Sequence, residues 1–171
     1  MGSPKHQRKK YKTPIHPWSG SRILGEKDII KNYGLQNKKE IWRAESKLLL
    51  IKKQVKRIIA SSSEQSEREK MQLLSKLFRY NLIQKETKLD EILGLQINDV
   101  LERRLQTIVF KKNLAKSQIQ ARQFITHGHI LIDNKRVTMP SYFVTRDEEN
   151  KITLSSHLKI FEQEMEKKTK A

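Results

Sequence analysis

A long apolar seam in the first third of the chain places the tightest limit on how it can fold. Between residues 41 and 58, apolar side chains recur at alternating spacings of three and four: Ile41, Ala44, Leu48, Ile51, Val55 and Ile58. This spacing aligns them along one face of an α-helix. Asn37 and Glu40 stand where a capping box would begin that helix. At about 1.5 Å per residue the helix is about 33 Å long, so other elements have to cover its seam.

Shorter patterns predict helices on both sides of this one. A first helix is expected over 21–33, ending at Gly34, where a left-handed backbone would stop it. Residues 61–66 are predicted to form a polar linker, and a third helix is expected over 67–83. Its predicted inward side chains are Met71, Leu74, Leu77 and Phe78. This charge-balanced stretch is the expected partner of the apolar seam.

The region after residue 97 predicts a helix–loop–helix. Asn98 can cap a helix that runs to about Phe110, and Ser117 can cap a second helix that ends at Gly128. Ser117 and Gln120 also match the Ser-x-x-Gln pattern of a capping box. The two helices are therefore expected to lie side by side across a short loop.

A small sheet is expected behind these helices. Alternating apolar residues predict a strand at 130–132, and a turn at 134–135 leads to a return strand from Val137. Further short strands are expected at 140–142 and 152–154. The fold class is therefore α+β, with a mainly helical N-terminal domain that carries a basic extended arm, followed by a small helix–loop–helix and β-sheet domain.

Charge narrows the choice of partner. The 171 residues include 36 basic and 19 acidic side chains, a net +17 with His neutral. Residues 1–60 carry net +12 and residues 97–146 carry net +6, whereas residues 61–96 are neutral. Two basic surfaces on a neutral scaffold require a polyanionic partner. Nucleic acid, an anionic membrane surface and an acidic protein all meet that requirement.

Several classes of protein are excluded. The longest apolar run, Leu48–Ile51, has four residues, against about 20 for a membrane-spanning helix. Without cysteine the chain has no disulfide and no thiolate ligand or nucleophile. His127 and His129 have no adjoining ligand cluster, and no phosphate-binding glycine motif occurs. We therefore expect no enzyme activity, metal, cofactor or small-molecule substrate. A membrane-surface helix is disfavoured because residues 61–96 can cover the apolar seam.

The first basic block combines a proline-rich arm with the basic side of the long helix. Aromatic side chains interleaved with cations suit base stacking and phosphate contact. A loose tail anchored by one tryptophan explains the arm equally well, and a solvated face is the alternative for the helix. The predicted nucleic-acid contacts of this block are Lys5, Arg8, Lys9, Lys10, Tyr11, Lys12, His16, Trp18, Lys39, Arg43, Lys47, Lys53, Lys56 and Arg57.

The second basic block places cations and hydrogen-bonding side chains around the helix that begins at Ser117. The free N–H groups of that helix start suit a phosphate, and guanidinium groups supply forked donors. The alternatives are ordinary solvated helix positions and local pairing of Arg103 and Arg104 with Glu102 or Asp99. The predicted contacts are Arg103, Lys111, Lys116, Ser117, Gln120, Arg122, Gln123 and His127.

Motifs in both blocks resemble one known family. The stretches LERRLQTIVF, LAKSQIQARQFITHGHILIDNKRV and PSYFV resemble the S-four, or alpha-L, RNA-binding domain. The segments PIHPW, YGL and NKKEIWRA are similar to the N-terminal part of archaeal and eukaryotic ribosomal proteins of the small-subunit S-four family. The resemblance adds Arg104, Gln106 and His129 to the expected RNA contacts.

The resemblance implies a structural protein of the small ribosomal subunit in the cytoplasm. It implies direct binding to small-subunit rRNA, nucleation of assembly of the subunit body, and a place near the side where mRNA enters. Neighbouring small-subunit proteins and mRNA are the other partners implied, with no membrane partner. The alternative is a non-ribosomal RNA chaperone, or an accessory factor of RNA modification, that uses the same domain.

The expected division of the chain has four parts. These are a basic arm (1–20), a helical rRNA-binding domain (21–97), an S-four domain (98–156) and a C-terminal tail (157–171). Asn113 stands where the family usually has glycine, and asparagine tolerates the left-handed conformation that the loop requires. Some family members bind zinc through N-terminal cysteines, which this chain lacks, so no zinc is expected.

Overall fold

A computed structural model describes residues 8–61, 63–85 and 87–155. Within these ranges the chain forms helices and three short strands, and the expected α+β class is confirmed. In chain order the elements are α1 (Gly20–Tyr33), α2 (Lys38–Ala60), α3 (Glu64–Arg79), α4 (Leu89–Leu93), α5 (Ile97–Glu102), α6 (Leu105–Lys111), α7 (Gln118–Thr126), β1 (Ile130–Ile132), β2 (Lys135–Arg136), α8 (Arg146–Glu149) and β3 (Ile152–Leu154).

The apolar seam of α2 is covered along its length by two groups of elements. Its N-terminal half packs against α1 and α5, where Ile41, Ala44 and Leu48 are buried. Its C-terminal half packs against α3 and α4, where Val55 and Ile58 are buried. The predicted seam and its helix are confirmed. None of the helices in the described ranges is long and apolar enough to cross a membrane.

Helix α3 differs from its prediction at both ends. It starts inside the expected linker because Ser63 Oγ accepts the N–H of Ser66 at 3.3 Å and caps the first turn. It ends at Arg79, and Asn81 follows with φ +54°, a left-handed turn that redirects the chain. The inward face is also shifted, because Leu73 is buried whereas Met71 is 71% exposed.

The helix expected over 98–110 is two helices, α5 and α6. Between them Arg104 pairs with Phe143 in an isolated antiparallel bridge. The N–H of Leu105 donates to the carbonyl of Tyr142 at 2.9 Å, and the N–H of Val144 donates to the carbonyl of Arg103 at 3.1 Å. This pairing with a segment about 40 residues away takes the backbone out of helical geometry. Gln96, not Asn98, caps α5.

The sheet has the order β2-β1-β3, and both pairings are antiparallel. Strands β1 and β3 match their predictions. Strand β2 begins at Lys135, earlier than expected, because Asp133 and Asn134 turn the chain with φ +50° and +62°. Residues 140–142 are not a strand; the isolated bridge at Phe143 is the pairing there.

The loop between α6 and α7 has the backbone that the sequence predicts. Asn113 adopts φ +56°, so asparagine serves where the related family usually has glycine. Ser117 Oγ accepts the N–H of Gln120 at 3.1 Å and caps α7. Gly128 follows the helix with φ +74°. Ala121 and Ile125 of α7 are buried against the sheet in the core of this domain.

Candidate nucleic-acid interface

A groove of about 750 Å³ lies between the N-terminal arm, α2 and the loop 141–143. We call it the basic groove. The arm crosses α2 at one edge, where the N–H of Lys12 donates to Ser46 Oγ at 2.9 Å and the ring of Tyr11 lies 6.0 Å from that of Trp42. Cations from the arm and from α2 line the groove together: Lys9, Lys10, Lys12, Arg43, Lys47 and Lys53.

The arm is held on the helices by a buried carboxylate. Glu26 of α1 accepts a hydrogen bond from Trp42 Nε1 at 3.0 Å and pairs with Arg22 and with Lys38. Arg22 Nη2 in turn donates to the carbonyl of Pro17 at 2.8 Å. Burial opposes the charge on Glu26, but the hydrogen bonds from Trp42 and Lys38 and the two cations lower its pKa. The described part of the arm is therefore fixed against α1 and α2.

Lys47 joins the two sides of the groove. Its Nζ lies 4.1 Å from the centre of the Phe143 ring, and the edge of that ring packs on Tyr80 with centroids 4.9 Å apart. Loss of surrounding water, with the charges of Arg104 and Lys76, lowers the pKa of Lys47. A bound anion would oppose this shift, because an opposite charge close to Lys47 favours its charged form.

The floor of the groove is apolar. Its apolar lining residues are Ala44, Leu49, Leu50, Val100 and Phe143. Leu49 is 49% exposed and Leu50 is 68% exposed. Among the described residues that line the groove, the single carboxylate is Glu40, which is occupied elsewhere.

Glu40 belongs to a second cluster, the polar joint, formed by Gly34, Glu40, Arg104, Gln106 and Arg122. Its carboxylate pairs with the guanidinium groups of Arg104 and Arg122, the latter with Nη2 at 2.9 Å from Oε1. The buried fork fixes α2 against α6 and α7. The capping box predicted for Glu40 is therefore absent, and Asn37 caps α2 without a side-chain hydrogen bond.

Gln106 closes the other side of the polar joint. Its Nε2 donates to the carbonyls of Tyr33 at 3.2 Å, Gly34 at 3.0 Å and Gln118 at 2.9 Å. Gly34 has φ +57°, and a Cβ there would lie 2.7 Å from Gln118 Cβ. The α1–α2 turn therefore approaches α7 as closely as a glycine permits.

The charge of Glu40 is stabilised by the two arginines of the polar joint. Burial raises the pKa of Glu40, but the hydrogen bond from Arg122 and the charges of Arg104 and Arg122 lower it below its ordinary value. Arg103 is buried nearby, with Nη2 at 2.8 Å from Glu149 and 3.3 Å from the carbonyl of Val144. Its observed partner is thus neither Glu102 nor Asp99.

The structure separates the predicted contact residues into three groups. Three are buried within the chain: Arg103, Arg104 and Gln106. Four are half-buried: Tyr11, Gln120, Arg122 and His129. The exposed ones are Arg8, Lys9, Lys10, Lys12, His16, Trp18, Lys39, Arg43, Lys47, Lys53, Lys56, Arg57, Lys111, Lys116, Ser117, Gln123 and His127. Lys5 and the tail 157–171 lie outside the described residues.

Two of the exposed cations are already paired on the surface. Arg57 lies 2.8 Å from Glu69, and Lys111 lies 2.8 Å from Glu102. Helix α7 exposes Lys116 just before its capped start, Gln123 within the helix and His127 at its C-terminal end, all apart from the lining of the basic groove. No group of three or more His, Cys, Asp or Glu side chains in the described ranges is placed to hold a metal ion.

Sequence reasoning missed three features of this surface. Leu49 and Leu50 are apolar residues of α2 that do not belong to its apolar seam. Their position outside the seam could have indicated an exposed apolar surface. Phe143 directly follows the segment 140–142, which is expected from the sequence to be a plain strand. The pairing of Glu40 with Arg104 and Arg122 joins residues 64 and 82 positions apart, so no local pattern indicates it.

Comparison with known proteins gives matches along nearly the whole described chain. A model for the ribosomal protein S4/S9 N-terminal domain matches residues 3–102, and a model for the S4 domain matches residues 103–150. The small ribosomal subunit protein uS4 of Methanococcus maripaludis is 49% identical over 158 residues, covering 92% of this chain and 89% of the relative. The chain belongs to the ribosomal protein S4 family.

Other S4-family relatives match in the same way. The uS4 proteins of Methanococcus aeolicus and Methanococcus vannielii are 47% and 48% identical, covering 90% and 89% of this chain and 87% and 86% of the relatives. These relatives are named as ribosomal proteins and not as enzymes, in agreement with the non-enzymatic prediction. The two S4-family models meet at Arg103, so Gly34 and Glu40 of the polar joint come from one matched region and Arg104, Gln106 and Arg122 from the other.

Proposed function

We propose that this chain is a structural protein of the small ribosomal subunit that binds small-subunit rRNA directly. The observation that carries the proposal is the basic groove, where six cations of the arm and α2 surround one cavity and its single carboxylate is already paired. The names of the S4-family relatives support the ribosomal setting. The chain would act with ribosomes in the cytoplasm, and neighbouring small-subunit proteins would be its protein partners.

The proposed contact surface is narrower than the list predicted from sequence. It comprises the exposed cations of the arm and α2, and the outer side of α7 with Lys116, Ser117, Gln123 and His127. Arg104 and Gln106 would act indirectly, because they tie α2 and the α1–α2 turn to the S4 domain. Arg122 would do the same through Glu40. Arg103 would act indirectly by tying the end of α5 to Glu149. Phosphate contacts would supply most of the affinity and RNA shape most of the specificity.

The finer role follows from the family resemblance and the shape of the surface. We propose that the chain binds rRNA early, nucleates assembly of the subunit body, and lies near the side where mRNA enters. Two cationic surfaces held at a fixed angle by the polar joint can contact two RNA segments at once. The proposed units are the arm (1–20), the helical domain (21–97), the S4 domain (98–156) and the tail (157–171).

Co-sedimentation with small ribosomal subunits tests this function. The tagged full chain should remain with the small-subunit peak after a high-salt wash. A charge-matched pair of triple variants sharpens the test: K9Q/K10Q/K53Q in the groove, and K31Q/K70Q/K88Q at exposed lysines elsewhere. The groove variant should be depleted from the peak and the other should not. Release of the wild-type chain at moderate salt would instead indicate a non-ribosomal RNA chaperone or accessory factor.

A further inference from the structure

The floor of the basic groove does not match the surface of an RNA duplex. An A-form helix presents phosphates and 2′-hydroxyl groups to a protein, and its bases are stacked inside. Lysines alone would satisfy that surface. Here the lysines surround an apolar floor, and two of its side chains, Leu49 and Leu50, are exposed next to each other on α2. The floor needs a ligand that also carries an apolar face.

From this juxtaposition we infer that the basic groove binds an unpaired, unstacked nucleotide, with its base on the apolar floor and its flanking phosphates on the surrounding cations. This inference rests on the proposed function and names the ligand of the same groove. An unstacked base is the part of RNA that offers a flat apolar surface, and proteins bind such bases on aromatic and apolar side chains.

The geometry of the groove supports this occupant. A cavity of about 750 Å³ lies within the range of about 300–1,000 Å³ in which proteins bind small ligands. Lys9, Lys10 and Lys12 stand on the arm side, and Arg43 and Lys53 stand on α2. A strand that crosses the groove therefore has cations on both sides of the base. Because Glu40 is neutralised by Arg104 and Arg122, no free carboxylate among the described lining residues repels the phosphates.

The test uses three fluorescently labelled RNA hairpins with the same stem: fully paired, with one bulged adenosine, and with an abasic bulge at the same position. The full chain should bind the adenosine bulge about 10-fold more tightly than either other hairpin, the size of one base-stacking contact. The abasic hairpin has the same number of phosphates and the same bulge position, so the difference reports the base.

A matched pair of variants assigns the effect to the floor. L49S/L50S should lose the preference for the adenosine bulge and keep its affinity for the paired stem. I59S alters an exposed apolar residue on the same helix but outside the groove, and it should keep the preference. Circular dichroism would check that both variants retain the helical content of the wild type.

The outcomes separate this inference from the proposed function. Equal binding of all three hairpins, or an unchanged preference in L49S/L50S, would overturn the nucleotide pocket and leave direct RNA binding in place. Equal affinity for the adenosine and abasic bulges, both above the paired stem, would show recognition of a bent backbone and would also overturn it. Failure to bind any hairpin, together with failure to co-sediment with small subunits, would overturn both.

Discussion

The polar joint and the basic groove use the same kinds of residue in opposite ways. In the joint, a buried Arg104 and a half-buried Arg122 enclose one carboxylate. In the groove, Lys9, Lys10 and Lys53 surround a cavity without a free carboxylate. The charges of the joint are therefore balanced within the chain, whereas the lysines of the groove have no free carboxylate among the described lining residues. What distinguishes a stabilising cation from a binding cation is the position of the nearest acid, which the net charge does not reveal.

The largest expected effect is the loss of the acid at the centre of the joint. Replacing Glu40 by Ala leaves Arg104 buried without an anion, and the free energy of unfolding should fall by about 3–5 kcal/mol. Urea denaturation would measure it. Glu45 lies on the exposed side of the same helix, and Glu45→Ala should change stability by no more than about 0.5 kcal/mol. Similar values for the two variants would show that the joint does not carry the stability assigned to it.

The next effect concerns the close approach of the α1–α2 turn to α7. Gly34→Ala places a Cβ against Gln118 in a left-handed conformation, at an expected cost of about 2–4 kcal/mol. Gly25 sits in α1 with nothing within 4 Å of a Cβ, so Gly25→Ala should stabilise by about 0.5–1 kcal/mol. Thermal unfolding of both variants would show the opposite signs. If Gly34→Ala left the unfolding temperature unchanged, the α1–α2 turn and α7 would be able to move apart.

Substitutions in the basic groove should lower the affinity for RNA and leave the free energy of unfolding unchanged. K9Q/K10Q/K53Q should unfold at the wild-type urea concentration. Its affinity for an rRNA fragment should fall about tenfold, and the slope of log affinity against log salt should become shallower by about 2–3, because each lost phosphate contact removes about 0.7–0.9. K31Q/K70Q/K88Q provides the charge-matched control. Equal losses in both variants would indicate a nonspecific charge effect.

The smallest expected effect is the pH dependence that Glu40 contributes to the free energy of unfolding. The folded pKa of Glu40 is lowered by its arginines, so its contribution is fully present above the ordinary carboxyl pKa, about 4.3, and is lost as the pH falls through the folded pKa. The stability gap between wild type and Glu40→Gln should therefore narrow on acidification from pH 7 to pH 3, followed by urea unfolding. The groove variant should show the wild-type profile. Parallel profiles for wild type and Glu40→Gln would contradict the assignment.

Most of the helices and strands could be predicted from residues that are close together in the sequence. The seam of α2, the cap at Ser117 and the left-handed backbone at Asn113 all depend on residues within a few positions of one another. The break at Arg103–Arg104 was not predictable in this way, because it results from pairing with residues 142–144. The helical spacing of apolar residues continues across that break in the sequence. The end of one helix and the start of the next are therefore visible only in the structure.

The same distinction between local and distant partners applies to the candidate site. Composition and spacing identified the cations of the arm and α2 that line the groove. They could not show that Arg104 and Gln106 are turned inward, because the partners Glu40 and Gly34 are 64 and 72 residues away. They also could not show the apolar floor, which exists only where the arm crosses α2.

The separation of Glu40 from its arginines has a consequence for synthesis. Glu40 is made 64 residues before Arg104 and 82 residues before Arg122. The cluster around Glu26, in contrast, needs only Arg22, Lys38 and Trp42, all within 16 positions. During translation Glu26 can therefore form its ion pairs as soon as the first two helices have been made. Glu40 remains unpaired with Arg104 and Arg122 until those residues have been made. The angle between the two basic surfaces is therefore set only after α7 has left the ribosome that made it.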